Sequence, residues 1–129
     1  MASRHPERVG STFPPDASPE TATVDVRDET KVTAALFGAC DALNAVSLYV
    51  ERGRVTFNAV HVEAAARVAR LARANDVERL IHVSGIGADP TSSSPYIASR
   101  GRGEVAVRDS FPVRSSFAQL LCSGPMMRF

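Results

Sequence analysis

No stretch of this chain reaches the ~20 consecutive apolar residues that a membrane-spanning helix requires. Its opening, Met1-Ala2-Ser3-Arg4-His5-Pro6-Glu7-Arg8, lacks the apolar core of a secretory signal. Cysteine is scarce: Cys40 and Cys122 stand far apart with no Cys-x-x-Cys pair, which argues against a disulfide framework and against a zinc knuckle. Both read as small buried hydrophobes in a reducing compartment. Lysine is nearly missing, with Lys31 the only one, so arginine carries almost all of the positive charge. The formal net charge of +1 and the pI near 7.9 give no global attraction to nucleic acid or to an anionic membrane. At 129 residues the chain has room for one domain at most and a modest core. His5, His61 and His82 lack metal-ligand spacing, and His61-Val62-Glu63 has no Pro-Cys-x-x-Cys partner, so no metal site is expected.

What is present alternates in period. Pro6, Pro14, Pro15 and Pro19 break any regular element in residues 1–21, which read as a loop or disordered arm ahead of a single domain over residues 22–129. Thr23-Val24-Asp25-Val26 is a short β-branched strand that runs into a helix opened by Asp28 or Glu29 and continued to Cys40. Val32, Ala35, Leu36 and Ala39 form its buried stripe, and Gly38 weakens its last turn. The run from Ala42 to Tyr49 has the near-continuous apolar character of a parallel strand covered on both faces. From Val55 to Ala74 the 3.6 period returns, with Phe57, Val60, Ala64, Val68 and Leu71 on one side and Glu63–Arg67 as an i,i+4 pair on the other. Asn75 is placed to end this helix in a left-handed conformation, and Val77 to Ser84 is the next strand. A Pro- and Ser-rich loop leads to a helix over Tyr96–Ser110, in which Gly101 and Gly103 each cost about 1 kcal/mol relative to alanine. Ser115 to Cys122 is the last strand candidate. Alternating strands and helices of these lengths imply βαβ units, a parallel sheet of three to four strands, and an α/β layered domain.

One constellation carries chemistry. Ser84 ends an apolar run at a Gly-rich turn, Tyr96 follows twelve residues later, and Arg100 lies one helical turn further on. A tyrosine acting as general acid/base needs a cation nearby, because a free phenol has a pKa of about 10. Arg100 offers that charge, and Ser84, at the carboxyl end of its strand, is where open parallel sheets bind ligands. The plainer reading also stands: Ser84 ends a strand, Tyr96 packs a helix start, and Arg100 is a solvated surface charge.

The blocks Glu51-Arg52-Gly53-Arg54, Thr56-Phe57, Val60-His61-Val62-Glu63, Glu78-Arg79-Leu80-Ile81-His82-Val83-Ser84 and Gly87-Ala88-Asp89-Pro90, in that order, resemble the NAD(P)-binding accessory subunit family of respiratory complex I, an atypical branch of the short-chain dehydrogenase/reductases. The likeness runs from about Val24 to Pro112, with Gly124-Pro125 and Arg128-Phe129 similar to a later loop. It implies a partial Rossmann-like three-layer domain lacking its first βαβ unit, and NADP or NAD as cofactor. It further implies a scaffold or binding role beside complex I subunits or a missing N-terminal segment, with reductase or epimerase chemistry in neighbouring families. By position, Asp25 and Val26 match the strand end at the adenine, and Ala45, Val46 and Ser47 the strand end passing the ribose. Arg4 matches a segment where arginine pairs with a 2′-phosphate. Ser84, Tyr96 and Arg100 match the reaction-centre serine, tyrosine and lysine, and His61 stands where a helix asparagine supports a water relay. The implied location is the cytoplasm, or the periphery of the inner membrane on its bacterial cytoplasmic or mitochondrial matrix side.

Three departures from the family pattern are visible. Lysine is replaced by Arg100, an Arg-Pro pair is replaced by Ala118-Gln119, and no Gly-x-Gly-x-x-Gly occurs. Gly85-Ile86-Gly87 is followed by Ala88-Asp89-Pro90, so no helix N-terminus is aimed at a phosphate there. The expectation is therefore weak or no catalysis, with two alternatives: a working reductase or epimerase using Tyr96, and a fragment without independent function. In the strand order 3-2-1-4-5-6, the Thr23 strand would be unpaired or closed directly on Ala42–Leu48.

Overall fold

The computed structural model of the chain describes residues 1–8, 20–112 and 126–128. Strand β1 (Ala2–Ser3) pairs in parallel with β2 (Ala22–Thr23), with Ala2 opposite Ala22 and Ser3 opposite Thr23. Flanking bonds from Ala22 N–H to Met1 C=O and from Val24 N–H to Ser3 C=O, each 2.9 Å, extend the pairing. This corrects two expectations. The Thr23 strand is neither unpaired nor closed on Ala42–Leu48, and Ala2–Ser3, inside the stretch read as an arm, is a strand. The prolines that argued against order begin only at Pro6, after the ladder, and Ala2 is small enough to enter the core, where it is 4% exposed. Residues 9–19 lie outside the described residues.

Helix α1 (Glu29–Leu36) opens on Asp28, whose carboxylate accepts the Lys31 N–H at 3.2 Å. It stops short of Cys40 because Gly38 takes a positive φ of 72°. Cys40 is disulfide-bonded in the structure, not the isolated buried hydrophobe expected; Cys122 lies outside the described residues.

Strand β3 (Asp41–Asn44) follows. It is shorter than the apolar run suggested, because the next amides find side-chain partners in place of a ladder: Val46 N–H bonds Asn44 Oδ1 at 3.2 Å and Leu48 N–H bonds His61 Nε2 at 3.0 Å. A π-helical segment (Asn58–Ala64) then leads directly into α2 (Ala65–Ala74). The core stripe is as expected, with Val60, Ala64, Val68 and Leu71 all buried, but regular 3.6 periodicity begins only after the π segment. The Glu63–Arg67 pair does not form: Glu63 accepts from Asn58 Nδ2 at 2.8 Å, and Arg67 reaches back to Val26 C=O at 3.3 Å and to Glu29 at 4.0 Å. The left-handed residue after α2 is Asp76 (φ 56°), while Asn75 caps with its side chain on Leu71 C=O at 2.8 Å.

Strand β4 (Arg79–His82) pairs in parallel with β3 over four residues, from Asp41↔Arg79 to Asn44↔His82. Helix α3 (Pro95–Ser110) begins with proline in its first turn, and β5 (Met126–Arg128) pairs in parallel along the other edge of β3. The order of this three-stranded sheet is β4-β3-β5. The strand candidate Ser115–Cys122, with Ala118-Gln119, lies outside the described residues. The core is continuous from β2 to α2: Val24, Val26, Val32, Leu36, Ala42, Val68 and Val77 belong to one buried cluster.

The two helical glycines are packing requirements. A Cβ on Gly103 would sit 2.2 Å from the His61 carbonyl oxygen, and one on Gly101 would sit 2.3 Å from Pro90 N. Close approach at these points seats α3 against the π segment and against the loop after β4.

Candidate functional site

Parallel pairing sends β3 and β4 out of the sheet at the same end, so Ala45–Ser47 and Val83–Gly85 emerge side by side; the Val83 N–H to Asn44 C=O bond of 2.9 Å closes the ladder there. The start of α3 and the π segment complete the surround.

His61 has a hydrogen bond at each ring nitrogen. At 2% exposure, its Nε2 accepts from Leu48 N–H, which leaves the proton on Nδ1, and Nδ1 donates to Ser99 Oγ at 2.8 Å. Ser99 Oγ–H in turn donates a hydrogen bond to the Tyr96 carbonyl at 2.7 Å. Burial, with the charge of Arg100 nearby, pushes the imidazole down to about 4, so it is neutral at ordinary pH. A second histidine, His82, is also held below its usual range by burial and by Arg100. Its Nδ1 lies 3.3 Å from Asn44 Nδ2.

Tyr96 is half-buried, with three rings around it. Its centroid lies 6.1 Å from Tyr49 in a stacked pair, and 5.6 Å and 5.5 Å from Phe57 and His61 in edge-to-face contacts. The Arg100 guanidinium carbon stands over the same ring, 5.8 Å from its centroid. Arg100 is therefore not a solvated surface charge: it is 6% exposed. Three side-chain atoms, Ser47 Oγ, Ser84 Oγ and Arg100 Nε, are buried without a hydrogen-bond partner, and each belongs to a residue singled out from the sequence.

The structure thus gathers Ser84, Tyr96, Arg100, His61 and Ser47 at one end of the sheet, with Ala45 exposed and Val46 half-buried beside them. Asp25, Val26 and Arg4 are carried by the β1–β2 pair. Arg27 grips Asp25 through bonds of 2.6 and 3.0 Å and holds its carboxyl at about 2; the charge of exposed Arg4 adds to this. Val26 is a core residue, 9% exposed. Among the described residues no cluster of metal-ligating side chains occurs.

Sequence reasoning missed Ser99, Asn44 and the ring partners Tyr49 and Phe57. The small-residue run Ala98-Ser99 with Gly101 and Gly103 was the available signal for a tight helix approach, and a serine buried there needs a partner. A cleft of about 630 Å³ runs along the outer edge of β4, lined by Leu80, His82, Ser84, Glu104, Val107 and Phe111.

No family model matches the chain. It is 46% identical over 57 residues to the mitochondrial NADH-ubiquinone oxidoreductase 40 kDa subunit of Neurospora crassa, covering 44% of this chain and 15% of that protein. It is 32% identical over 88 residues to the mitochondrial NADH dehydrogenase [ubiquinone] 1 alpha subcomplex subunit 9 of Mus musculus, covering 68% of this chain and 23% of that protein. The chain thus spans less than a quarter of either curated relative. A crystal structure of a short-chain dehydrogenase/reductase superfamily protein from Agrobacterium tumefaciens with bound NAD superposes with a TM-score of 0.59 at 19% identity, covering 84% of this chain and 43% of that one. That superposition establishes the partial Rossmann-like α/β fold. Over part of its length the chain is thus similar in sequence to two mitochondrial NADH dehydrogenase subunits, and it shares the Rossmann-like fold of a short-chain dehydrogenase/reductase structure, with β3 and β4 paired in parallel.

Proposed function

We propose that the chain is a dinucleotide-binding Rossmann-type domain, for NADP or NAD, with a binding or scaffold role in an assembly of the complex I kind and little or no turnover of its own. The observation that carries this reading is the pair of buried, unpartnered hydroxyls, Ser47 Oγ and Ser84 Oγ, at the emerging ends of two adjacent parallel strands. Buried hydroxyls are nearly always satisfied, and strand ends of this kind are where open α/β sheets take ligands. Ser47 fits a ribose hydroxyl, Ser84 fits the nicotinamide end, and Arg4 beside Asp25 fits a 2′-phosphate. When bound, the nicotinamide would supply hydride chemistry; the residues here would orient it. The pyrophosphate would need backbone amides other than those of Gly85-Ile86-Gly87, so affinity is expected to be low.

Little turnover is supported by the surroundings of Tyr96. No hydrogen bond joins its phenol to Ser84 or Arg100 among the described residues, and its ring is packed on several sides. The relatives are named as mitochondrial respiratory subunits, and among the described residues no helix is long and apolar enough to cross a membrane. The relatives' names support a peripheral place at an inner membrane, against complex I subunits on the bacterial cytoplasmic or mitochondrial matrix side.

The Arg100 charge beside the Tyr96 ring favours one other reading, a reductase or epimerase with Tyr96 as acid/base. Steady-state consumption of NADPH with a panel of carbonyl substrates separates the two. The scaffold reading expects none above background in the purified chain, whereas sustained turnover that disappears in Tyr96→Phe would replace it. Calorimetric titration of NADH into Ser47→Ala, expected to bind severalfold more weakly than the parent chain, checks the cofactor's place.

A further inference from the structure

We propose that the outer edge of β4 and the face of α3 beside it form a two-fold interface with a second copy of this chain, the two β4 strands pairing antiparallel.

The edge is able to accept a strand. β4 ends the three-stranded sheet, and among the described residues nothing pairs with its outer side. Backbone polar groups alternate in direction along a strand; Val83 N–H bonds Asn44 C=O, so those of Leu80 and His82 point away from β3. The usual guards of an open edge are proline, lysine and outward charge. Residues 79–83 contain no proline and no lysine, and Arg79 is turned back onto the Asp41 carboxylate of β3 at 2.8 and 2.7 Å. What the edge shows instead is apolar: Ile81 is 50% exposed and Val83 45%. The cleft of about 630 Å³ between this edge and α3 leaves the approach open, and Leu80, Val107 and Phe111 give it an apolar lining.

Self-complementary charge selects a second copy over another occupant. β4 is short, so strand pairing alone would be weak and α3 has to contribute. On the cleft side of α3, Glu104 and Arg108 stand one turn apart with their charged atoms 3.7 Å from each other, a loose pair at the surface. A two-fold axis through the middle of the cleft runs α3 against its copy in the opposite direction, which turns Glu104 of each copy toward Arg108 of the other. The same axis at Ile81 puts Leu80 opposite His82 of the second copy. That register matches outward N–H and C=O groups on both strands and brings the two exposed Ile81 side chains together. An isologous contact requires this kind of self-matching. It joins the two sheets into one, and it does not require that a dinucleotide bind.

Sedimentation velocity of the full chain over a wide range of concentration provides the test. The expected result is a reversible monomer–dimer equilibrium, with the Leu80 and His82 amides protected from hydrogen exchange in the dimer and not in the monomer. Ile81→Lys, at an exposed position, should weaken dimerisation at least about tenfold while the melting temperature at dilution changes little. Glu104→Arg and Arg108→Glu should each be monomeric through like-charge repulsion, and mixing the two variants should restore a heterodimer, because each then presents the opposite charges to the other. A role confined to the helix would not produce that complementation. A chain that stays monomeric at every concentration overturns the proposal, and protection of the Leu80 and His82 amides in that monomer would show that the chain covers its own edge. A dimer that tolerates Ile81→Lys, or charge variants that fail to associate on mixing, would overturn it as well.

Discussion

The imidazole of His61 donates through Nδ1 to Ser99 Oγ at 2.8 Å, tying the π-helical segment to α3 in the interior of the protein. Because its other nitrogen receives the Leu48 N–H, the ring links three segments and both nitrogens are used only when it is neutral.

This sets a pH dependence. With His61 near 4 in the folded chain against 6.5 unfolded, the unfolded state binds the extra proton between those values. Stability is then complete above about pH 6.5, falls as pH drops toward 4, and levels off below, by up to about 3 kcal/mol. His82 is shifted in the same direction and adds to the slope. Urea unfolding from pH 4 to 7 checks this: His61→Gln should flatten the profile, and a parent profile already flat over this range would refute the linkage.

Gly103→Ala should destabilise by about 1–3 kcal/mol or more, since the new methyl meets the His61 carbonyl, which is backbone and cannot step aside. Gly101→Ala should do the same against Pro90. Arg102→Ala, exposed between them, should change stability by less than about 0.5 kcal/mol. Equal unfolding midpoints for all three would show that α3 does not pack as described.

These glycines mark the limit of what the sequence discloses. Periodicity located α1, α2, α3 and the β3–β4 pair because apolar spacing reports which face is buried, and Val32, Leu36 and Val68 are fully buried. The same spacing counted Gly101 and Gly103 only as lost helix propensity, because a close approach is a property of two elements and propensity of one. Pairing of β2 with Ala2–Ser3 was hidden for a similar reason: two-residue strands carry no period, and partner choice is a tertiary fact. Spacing did identify Ser84, Tyr96 and Arg100 as a group. It left the burial of Arg100 open and missed Ser99, whose partner His61 is carried by the π segment.

Tyr96→Phe should be nearly neutral for stability, within about 0.5 kcal/mol, because no hydrogen bond to the phenol exists among the described residues while the ring contacts persist. Tyr96→Ala should cost about 3 kcal/mol or more through loss of those contacts. Thermal melts of the two variants distinguish a packing tyrosine from one held by its hydroxyl; a large loss in the phenylalanine variant would indicate the latter.

Arg4→Ala should weaken NADPH binding while leaving NADH binding unchanged, since Arg4 is exposed and close enough to act on Asp25. Competition titrations of the two nucleotides against one another provide the ratio. An identical loss for both would remove Arg4 from any contact with a 2′-phosphate.

Amide chemical-shift mapping of the full chain during titration with NADPH tests the central claim most directly, because it reports both whether the dinucleotide binds and where. The account predicts saturable shifts concentrated at Ala45–Leu48 and Ser84–Gly87, the emerging ends of β3 and β4. Shifts that never saturate, or that fall on α1 and the outer face of α2 while these two loops stay silent, would contradict it.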